Sequence, residues 1–140
     1  MKILLILLLI STPALSAEIT YFKPVDGDTF KVDAREIKDE LLKLNYSIRI
    51  KGIDTPEKGW RAKCKKEAIL GEMASEFTKK ALKEAEAKKL PIAINNVEHD
   101  KYGGRLLADV YINGKLLASE LIEAGLARKY HGEKKASWCK

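Results

Sequence analysis

Residues 48–57 constrain the fold of this chain more than any other segment. They read Ile-Arg-Ile-Lys-Gly-Ile-Asp-Thr-Pro-Glu, so apolar and charged side chains alternate until a glycine and a proline interrupt the pattern. Alternation with a period of two predicts a strand that buries its isoleucines and keeps Arg49 and Lys51 on the opposite face. Because proline has no amide donor, regular pairing should end at Pro56. The segment is therefore predicted to carry a guanidinium along a strand and oxygen-bearing side chains at its end.

Residues 1–17 have the pattern of a secretory signal peptide. Lys2 precedes an unbroken aliphatic run at residues 3–10, and small residues follow up to Ala17. We expect cleavage after Ala17, or after the preceding serine, which leaves residues 18–140 as one domain in the periplasm or the medium. An uncleaved anchor is the alternative, but the run is shorter than the ~20 apolar residues that span a bilayer. No stable membrane association is expected after cleavage.

The charge balance favours an anionic partner. Lysine and arginine total 26 against 20 acidic residues, and the predicted signal peptide holds one of these cations and no acid. Nucleic acid and membrane surfaces are the usual partners of such a domain, although many secreted proteins are basic for solubility. With 140 residues, the chain is long enough for one domain with a core and too short for two.

Two cysteines, Cys64 and Cys139, are present in a chain predicted to reach an oxidising compartment. An even count there favours one disulfide, which would tether the end of the chain to the region after residues 48–57. In the chain-entropy model such a link stabilises the fold by about 4 kcal/mol. A zinc site is the alternative, but it needs about four closely spaced ligands, and His99 and His131 stand in no such pattern.

The remaining patterns predict short strands joined by tight turns, together with helices. Asp-Gly at residues 26–27 and Asn-Gly at residues 113–114 predict hairpin turns. A long amphipathic helix is predicted at residues 66–87, with Met73 and Phe77 as core residues of its apolar stripe. Basic and polar loops are expected at residues 58–66 and 99–107. The other predicted elements are strands at residues 19–22, from 30, from 48, 92–94, 107–112 and 115–117, and helices at residues 34–45 and 119–124.

These elements indicate one α+β domain. About five strands would close into a small barrel of the oligonucleotide-binding type, with the long helix packed on it and a second, short helix near the end. A plain two-layer sandwich is the alternative that pattern alone leaves open.

Two loops carry oxygen ligands suited to a hard cation. Asp28 follows the first predicted turn, and Asp54 and Thr55 end the strand of residues 48–57. Carboxylate and carbonyl oxygens of this kind suit calcium or magnesium, and such an ion could polarise a phosphodiester. Glu57 is a candidate general base for an attacking water.

Two arginines complete the chemistry of phosphodiester hydrolysis. Arg49 and Arg105 are candidates to pair with phosphate oxygens, because a planar guanidinium binds them at two points and offsets the charge that grows on phosphorus. Each residue also has a purely structural interpretation, Asp28 as a turn former and the arginines as solvated charges.

Taken together, these residues resemble the thermonuclease, or staphylococcal-nuclease-like, family. Val-Asp-Gly-Asp-Thr, the strand of residues 48–57, Asp-Lys-Tyr-Gly-Gly-Arg-Leu-Leu-Ala and Leu-Ile-Glu-Ala-Gly-Leu-Ala carry the resemblance in the family's order. They lie at residues 25–29, 48–57, 100–108 and 121–127, and residues 74–80 of the long helix are also similar. The family consists of secreted, calcium-dependent nucleases built on an oligonucleotide-binding barrel.

The resemblance implies roles for nine residues. Those matching the calcium site are Asp28, Asp54 and, through its backbone carbonyl, Thr55. Those matching the catalytic residues are Arg49, Arg105 and Glu57, the last as general base. Those matching the nucleotide pocket are Lys101, Tyr102 and Tyr130.

The function implied by the resemblance is that of a secreted, monomeric, calcium-dependent endonuclease. Family members cleave DNA and RNA at the 5′ side of the bridging phosphate, leave 3′-phosphates and prefer unpaired regions. The alternative is a non-catalytic module that binds nucleic acid or protein. The enzyme is favoured because the ion-binding and catalytic side chains of the family pattern are all present.

The sequence departs from the best-known family member in three places. Gly103 and Gly104 stand where the pattern has one glycine, which affects the expected reach of Lys101 and Tyr102. Residues 34–45 form a longer connection. The sequence also stops without that member's last helix, and we expect the link between the two cysteines to replace its contribution.

Overall fold

The computed structural model describes residues 16–18, 22–32 and 47–140. The predicted helix at residues 34–45, nearly all of the predicted strand at 19–22 and most of the predicted signal peptide lie outside these ranges. The strands are β1 Ser16–Glu18, β2 Phe22–Pro24, β3 Thr29–Val32, β4 Ser47–Ile50, β5 Ile53–Asp54, β6 Ile92–His99, β7 Leu106–Ile112, β8 Lys115–Leu116 and β9 Arg128–Lys129. The helices are α1 Lys65–Ala87 and α2 Leu117–Glu123, and Gly59–Arg61 forms a 3-10 turn.

The strands form a main sheet in the order β1-β6-β7-β4-β3-β2, with β8 added to β7. Strands β4 and β7 pair in parallel, and the other neighbours are antiparallel. The sheet curls into a half-barrel, while β5 and β9 pair separately. The predicted α+β class, with an oligonucleotide-binding type of barrel, a long helix and a short one, is therefore confirmed.

Strand β4 lies in the middle of the sheet, between β3 and β7. Ile48 and Ile50 are fully buried in the core, as the alternation predicted. The predicted single strand of residues 48–57 is, however, interrupted after Ile50, because Gly52 has a φ of +74° and turns the chain. The strand resumes as β5, so Arg49 and Asp54 belong to different ladders.

The two predicted hairpin turns are confirmed. Between β2 and β3 the amides of Val25 and Asp26 donate to the carbonyl of Thr29 at 3.0 and 3.1 Å. Between β7 and β8, Asn113 and Gly114 have φ values of +50° and +78°, which Asn-Gly adopts readily.

Strand β6 is longer than predicted. Asn95 and Asn96 were expected to end it, but β6 continues to His99 with a register shift between Asn95 and Glu98. Asn96 has a φ of +52°, which is typical of a β-bulge. The following loop therefore begins at Asp100, one residue later than predicted.

Helix α1 has nearly the predicted bounds, but its buried face matches the predicted apolar stripe only in part, at Ala74, Leu82 and Ala85. Met73 is 53% exposed, so its prediction as a core residue is wrong, and Phe77 is only partly buried at the edge of the core. The buried positions are mostly small, namely Gly71, Ala74, Ser75, Thr78, Leu82 and Ala85, together with Glu67. The spacing of large apolar residues therefore did not identify the positions where the helix comes closest to neighbouring loops, because those positions need small side chains.

Helix α2 ends as predicted. The amides of Gly125 and Leu126 donate to Ile122 and Leu121, and Gly125 has a φ of +71°. This is the left-handed glycine cap expected at a helix C-terminus. No helix in the described residues combines the length and hydropathy needed to cross a membrane.

Candidate active site

The turn before β3 fixes Asp28 against the central strand. The backbone carbonyl of Asp28 accepts from the amide of Ile50 at 2.8 Å, and its carboxylate accepts from the hydroxyl of Thr29 at 2.9 Å. On the other side, the hydroxyl of Thr78 on α1 donates to the carbonyl of Gly27 at 2.7 Å. A β-carbon on Gly27 would lie 2.8 Å from that of Ala74, so this turn requires glycine. Asp28 is consequently buried and held by the helix and the sheet together.

Arg49 connects this turn to the start of β5. One terminal nitrogen lies 3.3 Å from Oδ2 of Asp28 and donates to the carbonyl of Ile53 at 3.2 Å. Both charged side chains are nearly buried. Asp28 and the Ile53 carbonyl therefore fix the orientation of the guanidinium. Both contacts use the same terminal nitrogen, so the N–H groups of its other nitrogens take part in neither.

Asp54 and Thr55 are buried at the other side of Arg49. The indole nitrogen of Trp138 donates to Oδ2 of Asp54 at 3.2 Å. Nζ of Lys135 lies 2.6 Å from Oδ1, and this ion pair is the contact that the structure gives that buried oxygen. Partial burial opposes the charge on Lys135, but the Asp54 carboxylate outweighs it and raises the pKa of that ammonium.

These residues fit a hard divalent cation. Asp28, Asp54 and the Thr55 carbonyl offer only oxygen donors, as calcium prefers, and the buried Oδ1 of Asp54 already faces a cation, the Lys135 ammonium. Within the described ranges no cluster of three His, Cys, Asp or Glu side chains occurs. An ion here would therefore depend on two carboxylates, a backbone carbonyl and water.

Glu57 lies in a loop that α1 holds in place. Its amide donates to the buried carboxylate of Glu67 at 3.4 Å, and the same carboxylate accepts from the amide of Lys63 at 2.7 Å. A β-carbon on Gly71 would overlap the Glu57 carbonyl. The Glu57 side chain is partly exposed, 3.6 Å from Nε of Arg61, and can reach solvent.

Arg105 is oriented by a buried carboxylate of its own loop. Its Nε and one terminal nitrogen donate to Oδ2 of Asp100 at 3.0 and 2.7 Å. The doubled glycine is accommodated because Gly103 and Gly104 both have φ near +70°, and the amide of Asp100 donates to the Arg105 carbonyl at 3.1 Å. The extra residue therefore leaves Arg105 facing the cavity described next.

One open cavity of about 820 Å³ collects most of the predicted site residues. It is lined by Asp28, Arg49, Glu57, Arg105, Lys101, Tyr102 and Tyr130. Asp54 and Thr55 line an adjoining cavity, and Glu57 and Lys135 line both. The structure thus places the nine residues in the linings of two cavities that share Glu57 and Lys135.

The three predicted nucleotide-pocket residues lie at the rim of the larger cavity. Tyr102 is 78% exposed, with the Lys101 ammonium 5.0 Å from its ring centre. Tyr130 is fixed by its amide, which donates to the Gly52 carbonyl at 2.9 Å. The Arg49 guanidinium lies 6.0 Å from its ring. Exposed aromatic rings beside cations are suited to stacking on unpaired bases.

Two carboxyl groups of the site were not assigned from the sequence. Asp26 lines the cavity beside Asp28, and burial, followed by the charge of Asp28, raises its pKa to about 6. Asp100 orients Arg105. The Asp-x-Asp spacing in the first turn was a signal for Asp26, whereas nothing local marked Asp100 as the partner of Arg105.

The end of the chain is the other part of the site that the sequence did not identify. Lys135 and Trp138 were not predicted as site residues, yet both contact Asp54. The predicted disulfide joins Cys64 and Cys139, and Cys64 is the N-cap of α1. The disulfide therefore holds the tail beside the site, an arrangement that becomes evident only with the fold.

Comparison with known proteins adds a family match and several relatives. The model of the staphylococcal nuclease homologue family matches residues 47–138. The chain is 35% identical over 111 residues to Endonuclease YncB of Bacillus subtilis (strain 168), covering 79% of this chain and 46% of that protein. It is 36% identical over 112 residues to the SPbeta prophage-derived endonuclease YokF of the same organism, covering 79% and 33%. The matched region thus spans less than half the length of either relative.

Proposed function

The chain belongs to the staphylococcal nuclease homologue family, and on that premise we propose that it is a calcium-dependent endonuclease of DNA and RNA. The two relatives named as endonucleases support this activity. The proposal includes little sequence preference, preference for single-stranded regions, and 3′-phosphate products.

The observation that carries the proposal is the arrangement around Arg49. A buried guanidinium contacts Asp28 and the residue preceding Asp54, and it faces a cavity that Arg105 and Glu57 also line. Burying a charge pair such as Arg49 and Asp28 costs free energy of desolvation. A purely structural ion pair would also not need a second arginine, Arg105, in the same cavity. Two oriented guanidinium groups beside buried carboxylates suit a phosphodiester.

The proposed division of labour follows from these contacts. A calcium ion bound by Asp28, Asp54 and the Thr55 carbonyl would polarise a phosphoryl oxygen. Arg49 and Arg105, each oriented by a carboxylate, would bind the non-bridging oxygens and stabilise the charge that develops on them.

Glu57 would act as the general base. Its partly exposed carboxylate would take a proton from a water molecule as the water oxygen bonds to phosphorus. The bond from phosphorus to the 5′ oxygen then breaks, and that oxygen takes a proton from solvent. The products are a 3′-phosphate and a 5′-hydroxyl.

We propose that the cationic and aromatic residues at the edge of the cavity bind the substrate. Lys101, Tyr102 and Tyr130 would contact sugar, phosphate and base faces, while the lysine-rich loops at residues 58–66 and 128–135 would contact the backbone. Binding should therefore weaken with salt. We also propose that the protein is exported and monomeric, and its disulfide supports an oxidising compartment.

The test is cleavage by the purified protein lacking residues 1–17. Single-stranded DNA, duplex DNA and RNA are incubated with calcium, with magnesium and with chelator, and product ends are identified by their sensitivity to a 3′-phosphatase. We expect calcium-dependent shortening and 3′-phosphate ends. An Arg105→Ala preparation, purified in parallel, excludes a contaminating nuclease.

A binding module is the competing function. If the protein binds single-stranded DNA equally with calcium and with chelator, and no shortened product forms under either condition, the nuclease is refuted and the module is supported.

A further inference from the structure

Trp138 makes a buried polar contact with Asp54. Its indole nitrogen donates to Oδ2 at 3.2 Å, and the two residues are 7% and 5% exposed. An indole N–H is a donor only, so the carboxylate oxygen is the acceptor of this contact. The two residues lie 84 positions apart in the chain.

Arg128 also holds the indole ring in place. The Arg128 guanidinium stacks on the ring at 3.8 Å and donates to the carbonyl of Ser137 at 2.9 Å. Arg128 is also the pairing partner of Asp54 in the ladder of β5 with β9. One arginine thus ties the backbone beside Asp54 to the segment that carries Trp138.

Cys139, the residue after Trp138, anchors this segment covalently. Cys139 is bonded to Cys64, whose sulfur accepts from the amide of Glu67 at the start of α1. The helix that holds the Glu57 loop therefore also holds the tail. Trp138 cannot leave Asp54 without moving this anchored segment.

We propose that Trp138 is a positioning residue for Asp54: its indole N–H fixes Oδ2, so that Oδ1, which faces the Lys135 ammonium at 2.6 Å, is the oxygen presented to the metal ion in exchange for that ammonium. This role rests on the proposed function, because it assigns Asp54 as a ligand. A donor behind a ligating carboxylate restricts its rotation, and loss of such partners typically weakens metal affinity 10–100-fold.

The test measures calcium binding directly, by titration calorimetry on the purified, disulfide-bonded protein. Trp138→Phe keeps an aromatic ring against Arg128 but removes the N–H. Trp60→Phe is the matched control, because Trp60 is 93% exposed and outside the two cavities. We expect the calcium Kd to rise roughly 10-fold or more in Trp138→Phe and to stay unchanged in Trp60→Phe.

Thermal unfolding in chelator separates positioning from simple support of the fold. A structural role alone would lower the Tm of Trp138→Phe and leave its calcium Kd at the wild-type value, and this result overturns the proposal. A Kd that is unchanged together with an unchanged Tm overturns it as well.

A second substitution covers the case in which Trp138→Phe does not fold. Benzothienylalanine at position 138, in the Trp60→Phe background, keeps the bicyclic shape and replaces the N–H by sulfur. A rise in Kd supports the role, and wild-type affinity overturns it.

Failure of the proposed function gives a different result from failure of this role. Wild-type protein that binds no calcium would refute the metal-dependent nuclease and the role with it. Wild-type protein that binds calcium and cleaves DNA, with an equally tight Trp138→Phe variant, would refute the role of Trp138 alone.

Discussion

Arg49 is oriented by the protein before a substrate is bound. Its guanidinium contacts Asp28 and the Ile53 carbonyl from the middle of the sheet, where backbone motion is restrained on both sides by β3 and β7. A preorganised cation of this kind stabilises developing charge without reorganisation at the moment of reaction.

Arg49→Ala is therefore expected to reduce kcat about 10²–10³-fold, with a smaller effect on KM. Steady-state cleavage of single-stranded DNA at saturating calcium measures both constants. Lys80→Ala is the control, because Lys80 is exposed on α1 and pairs only weakly with Glu84 at 3.9 Å. Wild-type kcat in a correctly folded Arg49→Ala protein would show that this arginine is not catalytic.

Asp26 makes the stability of the ion-free protein depend on pH. Burial and then the charge of Asp28 raise its pKa from 3.8 to about 6, so the folded state binds this proton more tightly than the unfolded state does. Its stabilising contribution is full below about pH 3.8 and is lost as the pH rises through about 6.

Asp26→Asn should consequently raise Tm above pH 6 in chelator, and the gain should disappear towards pH 4. The amide oxygen can still accept from the Asp28 amide, as the carboxylate does at 3.3 Å. Calorimetry across this range checks the direction. A gain that grows as the pH falls would mean that burial does not disfavour the charged form of Asp26.

Local pattern identified the residues of the site that lie in short motifs. Asp28, Arg49, Glu57 and Arg105 line one cavity, and each lies in or next to a strand or turn that the sequence marks. Trp138 could not be found in this way, because its partner lies 84 positions earlier and no periodicity connects a tail to a strand.

At the scale of elements, α1 is the part that aligns the two halves of the site. Its small residues allow close contact with the Gly27 turn through Thr78 and with the Glu57 loop through Gly71. The length of this helix was predictable from its periodicity. Its buried face was predictable only in part, since the pattern also included large residues such as Met73, which is exposed, while the neighbouring loops require small ones.

Gly71→Ala should therefore destabilise the protein, although the same change in an exposed helix gains about 1 kcal/mol. The added β-carbon overlaps the Glu57 carbonyl, so the loop must shift, at a cost of about 1–3 kcal/mol. The midpoint of chemical denaturation and kcat should both fall below their wild-type values. Glu72→Ala, on the exposed face, is the control. A more stable Gly71→Ala protein would contradict the close contact.

For the whole molecule, the disulfide contributes both stability and the position of the tail. It closes a loop with a sequence separation of 75, which in the chain-entropy model stabilises by about 4 kcal/mol. Reduction should lower Tm by roughly 10 °C, and cleavage should persist at saturating calcium.

Scanning calorimetry with and without a thiol reductant measures this effect, and Cys64→Ser/Cys139→Ser provides a variant that needs no reductant. An unchanged Tm in both would show that the link adds nothing to the fold. Complete loss of cleavage by a protein that remains folded would contradict the expected persistence of activity.

The fold class was predictable as a whole because strands, turns and the long helix carry local patterns that agree with one another. The bulge at residues 95–98 and the interruption after Ile50 were not, since both depend on pairing with neighbouring strands.

The ammonium of Lys135 beside Oδ1 of Asp54 has a consequence for how a metal ion would enter the site. The folded protein already has a positive charge beside the Asp54 carboxylate, so the buried negative charge is compensated before a metal ion binds. Loading the site would then be an exchange of one cation for another, with the lysine released into water beside the incoming polyanion.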